Sequence, residues 1–304
     1  MHTRRSGFQE IARFSRRRLL LGGVGAASAL NIGGRLPLGA ADPVPATSSA
    51  AHCLLSSELT VGPYYIDREI IRKDITEGKP GVPMKLRVTI MDAKRCAPLP
   101  NAALDIWHCD ATGRYSGFSA NNGDAGPGRP GGRPMGPPPD FGPNGRPPGP
   151  PGGFGMSRPT DNLTFLRGVQ LSDSRGIVEF DTIYPGWYAG RAIHIHLRVH
   201  VGGSGDAGKY AGGHVSHTGQ LFLPEEVTDE VAKLEPYFDH RVRRTRQEED
   251  DIFESDHSGG IVLNLTQLNK DSPALGFLAT AVVSVNPEAT PEPAGGAGPP
   301  PRRG

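Results

Sequence analysis

The chain is short of cysteine, of net charge and of long apolar runs, and each shortage excludes something. Cysteine occurs three times in 304 residues, at Cys53, Cys96 and Cys109, and no Cys-x-x-Cys pair exists. That spacing does not resemble a thiolate zinc site. In an oxidising compartment the three thiols allow one disulfide and leave one over, and spacing alone does not choose among the pairings. The formal net charge is only +1. Seven arginines and a single glutamate lie in residues 1–40, so the rest of the chain holds 26 basic residues (33 less 7) and 31 acidic ones (32 less 1), near −5. A nucleic-acid binder usually carries a basic face, and this composition argues against one. No segment is apolar for long enough to give a stable membrane span.

What is present falls into distinct stretches. Ser15-Arg16-Arg17-Arg18-Leu19-Leu20-Leu21 is a twin-arginine pattern. The apolar stretch after it is diluted by Gly22, Gly23 and Gly25, and small residues near Ala41 suit a cleavage site. Residues 1–40 therefore read as a twin-arginine export signal, which places the mature protein in the periplasm or outside the cell. Residues 41–51 read as a flexible linker. Residues 52–286 form the expected domain, large enough for a substantial core. A Gly/Pro-rich insertion at 122–159 interrupts it; without a three-residue glycine period it is a long surface loop rather than a collagen-like segment. Residues 287–304 read as a disordered Pro/Gly-rich tail.

The domain is patterned as β-structure. Met84 to Ile90 alternates apolar and polar with period two, the mark of a half-buried strand. Further strands are expected at 102–108, 176–180, 192–201, 219–223, 261–265 and 278–285, separated by turn residues at intervals typical of a sandwich. The one expected helix runs from Glu225 to Tyr237, after Pro224. The fold class is all-β: an antiparallel β-sandwich with long loops and one short helix.

Chemistry concentrates in one stretch. Tyr188, Arg191, His194 and His196 fall within nine positions. On a strand, residues two apart point the same way, so His194 and His196 present two imidazoles to one point. His-x-His pairs also occur in zinc and cupin sites. A cupin or a two-His-one-carboxylate site needs an acid nearby, and Leu197-Arg-Val-His200 supplies none. The neighbourhood supplies tyrosine instead: Tyr188, and Tyr115 in the glycine-flanked turn Gly113 to Gly117. A phenol has a pKa of about 10 and must lose its proton to bind a metal. Fe(III) is acidic enough to remove it at neutral pH; Zn(II) and Fe(II) do so poorly.

These residues sit in longer motifs. Gly113-Arg-Tyr115-Ser-Gly117 after Ile106-Trp-His-Cys-Asp110, and Thr182-Ile-Tyr-Pro-Gly-Trp-Tyr188 followed by Arg191-Ala-Ile-His-Ile-His196, resemble the two halves of the intradiol ring-cleavage dioxygenase signature. Gly62-Pro-Tyr-Tyr65 and Cys96 to Ala102 resemble the exported bacterial branch of that family. One departure is Val61, where many relatives carry glutamate. The resemblance implies one Fe(III) per chain on Tyr115, Tyr188, His194 and His196, with Tyr115 and His194 equatorial and Tyr188 and His196 axial. It implies catalytic roles for Tyr188, as an exchangeable ligand and proton acceptor, for Arg191, as a stabiliser of negative charge, and for Gln220, near the oxygen-binding side. The implied reaction takes a catechol-type substrate and O2 to a cis,cis-muconate-type dicarboxylic acid. The specific catechol is not legible in the residues, and a homo-oligomer is left open. Two other readings compete: an exported, non-catalytic β-sandwich binding module, and a zinc enzyme built on the His-x-His pair.

Overall fold

The structure is a computed structural model that describes residues 54–119, 157–255 and 260–291. The expected export signal and linker, nearly all of the insertion and most of the tail lie outside the described residues. Ten strands and two short α-helices follow in the order β1 (Pro83–Asp92), β2 (Ala97–Pro98), β3 (Ala103–Trp107), β4 (Arg167–Leu171), β5 (Ile177–Ile183), β6 (His194–Asp206), β7 (Lys209–Phe222), α1 (Glu225–Val231), α2 (Asp251–Ser255), β8 (Ile261–Val262), β9 (Asn264–Gln267) and β10 (Phe277–Val285).

The strands form two five-stranded sheets. In the first, β1 is central, with β10 and then β9 on one side and β5 and β2 sharing the other. In the second the order is β4-β3-β6-β7-β8. The alternation in β1 sends Met84, Leu86, Val88 and Ile90 inward. Its outward Lys85 and Arg87 lie opposite Asp181 and Glu179 of β5 and pair with them. Such cross-strand pairs set register on the solvent face.

The core lies between the sheets. Leu86 and Val88 meet Phe180, Leu104, Ile106, Ile195, Leu197, Val199 and Val283 there. Ile195, Leu197 and Val199 occupy alternate positions of β6, so His194 and His196 emerge on the outer face of the second sheet. That face is not left to solvent. The segment 59–66 and the loops around residues 107–118 and 188–192 cover it with aromatic and aliphatic side chains. Burial on both faces explains why every residue of β3 is buried.

The sandwich expected from the sequence is what forms, with three refinements. Two pairings are parallel, β1 with β10 and β7 with β8. The expected helix is shorter, ending at Val231. Pro236 has no N–H to continue it and disfavours helical geometry at Glu235. A second five-residue helix, α2, follows. Among the described residues no helix is long and apolar enough to cross a membrane.

Candidate metal centre

The two halves of the motif converge on the covered face of β6. His196 sits opposite Trp107 of β3 and Gln220 of β7, and His194 opposite Phe222. The Tyr115 turn is built by Asp110. Its Oδ1 accepts hydrogen bonds from the backbone N–H of Thr112 (3.0 Å) and Arg114 (3.1 Å), and its Oδ2 pairs with Lys79 at 2.6 Å. Its carbonyl oxygen accepts from Gly186 N at 3.1 Å, which ties this turn to the loop bearing Tyr188. Contact between the two loops demands glycine at 113: a Cβ there would lie 2.1 Å from the Trp187 carbonyl oxygen, and φ is +78°. The Tyr188 loop is braced from the other side. Trp187 Nε1 donates to Val242 O, His240 Nε2 donates to Trp187 O, and Gly190 N donates to Thr245 Oγ1.

Four donor groups meet as a result. His194 Nε2 lies 3.0 Å from His196 Nε2 and 3.2 Å from Tyr188 Oη. The Tyr115 ring completes the group, 5.8 Å from the Tyr188 ring and 6.2 Å from His196. All four residues are between 1% and 5% exposed. His194 Nδ1 donates to the Ala192 carbonyl at 2.6 Å, which leaves the Nε2 lone pair facing inward. His196 has no such partner at Nδ1. Its ring is stacked on Trp107 at 5.0 Å, and Gly62 approaches it so closely that a Cβ there would lie 2.8 Å from its Cε1.

Burial drives all four pKa values toward the neutral forms. Both imidazoles are held well below the usual histidine value, first by burial; the Arg191 charge adds to this for each, and the neighbouring His194 adds to it for His196. Tyr115 and Tyr188 are both pushed up by burial, and for Tyr115 the adjacent Tyr188 adds to the shift. Among the described residues the buried Tyr115 hydroxyl has no well-formed hydrogen-bond partner, and its interaction is with the Tyr188 phenol. A buried hydroxyl without a partner carries a cost of about 1–3 kcal/mol. Two unprotonated imidazole nitrogens and two phenols that cannot ionise unaided suit a strongly Lewis-acidic cation. Among the described residues no three His, Cys, Asp or Glu side chains gather, so the third ligand that a zinc site would draw from those types has no source there.

Arg191 and Gln220 stand beside this group and are bonded to each other: Arg191 Nη2 donates to Gln220 Oε1 at 2.5 Å, and Gln220 Nε2 donates to Thr60 O at 2.9 Å. Arg191 also pairs with Asp250, which the sequence reading missed. Asp250 lies within the acidic run Glu248 to Asp251, where nothing in composition separates it from its neighbours. The Tyr64 ring stacks on Tyr115 at 4.7 Å. Val61 packs against the same aromatic cluster.

The remaining conspicuous residues have structural partners. His108 is buried, its Nδ1 donating to Cys109 O and its Nε2 meeting Thr182 Oγ1, both at 2.8 Å. A bulge at Val199/His200 and strand twist turn His200 away, toward Glu69 and Tyr210. His214 bonds Pro287 O, and His217 is buried and bonds Glu58. Cys96 is disulfide-bonded, while Cys109 is a free buried thiol.

No protein-family model matches the chain, and no curated protein matches it. Solved structures do. An intradiol ring-cleavage dioxygenase from Tetranychus urticae is 29% identical with a TM-score of 0.60, covering 79% of this chain and 98% of that one. A second dioxygenase crystal structure is 28% identical with a TM-score of 0.60 and the same two coverages, 79% and 98%.

Proposed function

The chain belongs to the intradiol ring-cleavage dioxygenases, and from that premise we propose that it is a ferric enzyme that opens a catechol-type ring with O2 between the two hydroxylated carbons, giving a cis,cis-muconate-type dicarboxylic acid. The observation that carries this reading is the convergence of Tyr115, Tyr188, His194 and His196 in a buried site where neither phenol can ionise without a cation. One Fe(III) held by these four residues would supply the Lewis acidity that ionises the phenols and the substrate hydroxyls and draws electron density from the ring.

The chain's own residues supply the rest. His194, fixed through Ala192 O, and His196, stacked on Trp107, offer neutral nitrogens that add no charge to the site. A catechol arrives with two protons to lose. Tyr188 Oη is the protein atom suited to hold one of them, because burial favours its protonated form. Arg191 places a fixed positive charge beside the ring, where negative charge develops during cleavage. Gln220, bonded to Arg191 and Thr60, orients that guanidinium. The cover formed by Val61, Tyr64 and Phe118 excludes bulk water, which strengthens each of these interactions. Export by the twin-arginine route belongs to the same proposal and is supported by the Ser15 to Leu21 pattern alone.

The test is direct. Purified protein should contain about one iron per chain and absorb in the visible through phenolate-to-iron charge transfer, giving a red-brown colour. Oxygen uptake should follow addition of one or more of catechol, protocatechuate, hydroxyquinol and lignin-derived catechols, with ring-opened product cut between the hydroxylated carbons. A colourless zinc protein, or product cut beside the hydroxylated carbons, would end the proposal.

A further inference from the structure

We propose that Asp250 is a positioning residue for this site: one buried carboxylate fixes both the Arg191 guanidinium and the backbone N–H of Ala192, the residue whose carbonyl orients His194. The proposal rests on the reading of Arg191 and His194 given above and extends it to a residue outside the motif.

Asp250 stands just before α2, and its side chain is 1% exposed. Both of its oxygens accept from Arg191 Nε at 3.0 Å. Its Oδ2 also accepts from Ala192 N at 2.9 Å, and its Oδ1 accepts from Ile252 N at 2.9 Å. One residue is thus held at both ends: Ala192 donates its N–H to Asp250, and its carbonyl, in the next peptide group, receives His194 Nδ1–H. The helix cannot drift away, because Phe253 packs on Phe222 at 4.8 Å and Ile252 joins the cluster of Leu59, Ala192 and Phe222.

The consequence for Arg191 is orientational. A guanidinium is a planar fork, so pinning Nε fixes the plane of all its N–H groups. With Nε on Asp250 and Nη2 on Gln220, Arg191 Nη1 donates to none of the described residues and is left to meet a developing negative charge. The carboxylate also offsets a positive charge that bears on His194, His196 and Tyr188 alike. A chain of contacts thus runs from Asp250 through Arg191 and Gln220 to Thr60, two residues from the glycine that presses on His196.

The experiment is a double-mutant cycle on iron-loaded protein with catechol as substrate, comparing wild type, Asp250→Asn, Arg191→Ala and the double variant in iron content, Tm, KM and kcat. Asp250→Asn is expected to keep its iron and its colour and to lose about 100-fold in kcat, with KM within about threefold. In the Arg191→Ala background the same substitution should cost at least about tenfold less than it does in wild type, because only the contact with Ala192 N then remains to be weakened. Equal losses in both backgrounds, or wild-type kcat in Asp250→Asn, overturn the proposal. Asp250→Glu guards against misfolding of the asparagine variant: it keeps the charge, displaces it by one methylene, and should lose about tenfold in kcat, again chiefly when Arg191 is present. A wild-type protein that is colourless and inert toward catechols would sink the functional reading instead. The clamp is then judged by the same cycle in Tm, where additive shifts refute it and coupled ones support it.

Discussion

Replacing Gly62 with alanine tests whether His196 is held in place by contact rather than by hydrogen bonding. An added Cβ would sit 2.8 Å from His196 Cε1 and 3.2 Å from its Nε2, on a backbone whose φ is +70°. The ring is also packed parallel to the Trp107 indole (1° between planes) at 5.0 Å, so displacing it would disturb that stack. Left-handed backbone costs an L-residue about 1–2 kcal/mol, and forcing a methyl into a packed site adds about 1–3 kcal/mol. A total of about 3 kcal/mol corresponds to a Tm lowered by about 6–12 °C in a domain of this size. The same displacement should move Nε2 off its position and weaken iron retention. Gly78→Ala is the control: its φ is +72°, yet a Cβ there meets nothing within 4 Å. Calorimetry and iron content of the two variants decide the matter. Equal Tm losses, or full iron content in Gly62→Ala, would refute the claim that Gly62 presses His196 into position.

Tyr115→Phe and Tyr188→Phe should each alter or abolish the visible absorption and lower kcat by at least about 100-fold; wild-type turnover in both variants would defeat the ligand assignment. His108 is held at about 4 by burial, against 6.5 unperturbed, so its neutral form contributes stability above pH 6.5 that is lost as pH falls toward 4. The loss is at most about 3 kcal/mol, and denaturant titrations at pH 7.5 and 4.5 should show a steeper fall for wild type than for His108→Gln. Asp161 accepts from Gly117 N (3.0 Å), Ser119 N (2.9 Å) and Leu163 N (2.9 Å), which joins residues 117–119 to 161–163. Asp161→Ala should lower stability by about 2 kcal/mol without removing iron, as a melting curve and metal analysis would check.

Much of the site could be read from the chain because its signals are local. A period of two is enough to put His194 and His196 on one face, and the glycine-flanked Tyr115 and the Pro-Gly-Trp-Tyr188 turn stand out from their neighbours. β1, with its alternation, and β10, with its nearly unbroken apolar run, were equally legible. What escaped depends on distant partners. β4 carries Arg167, Gly168 and Gln170 among its five residues, and it forms because β3 offers a free edge. The first half of β7 is rich in glycine and histidine and is strand only because β6 runs alongside it. The parallel pairing of β1 with β10 joins segments nearly two hundred positions apart, which no local pattern encodes. Asp250 looks like one more surface acid until Arg191 is placed against it.

Strand β6 answers to two masters at once. Its odd positions, Ile195, Leu197 and Val199, hold the two layers together, while its even positions, His194 and His196, face the proposed iron site. Neighbouring codons are therefore under unrelated selection, and tolerance to substitution should rise and fall with every second residue. Length is a different matter. A single added or deleted residue would exchange the aliphatic and imidazole rows, ruining packing and chemistry in one event. Drift here can proceed by replacement but not by insertion.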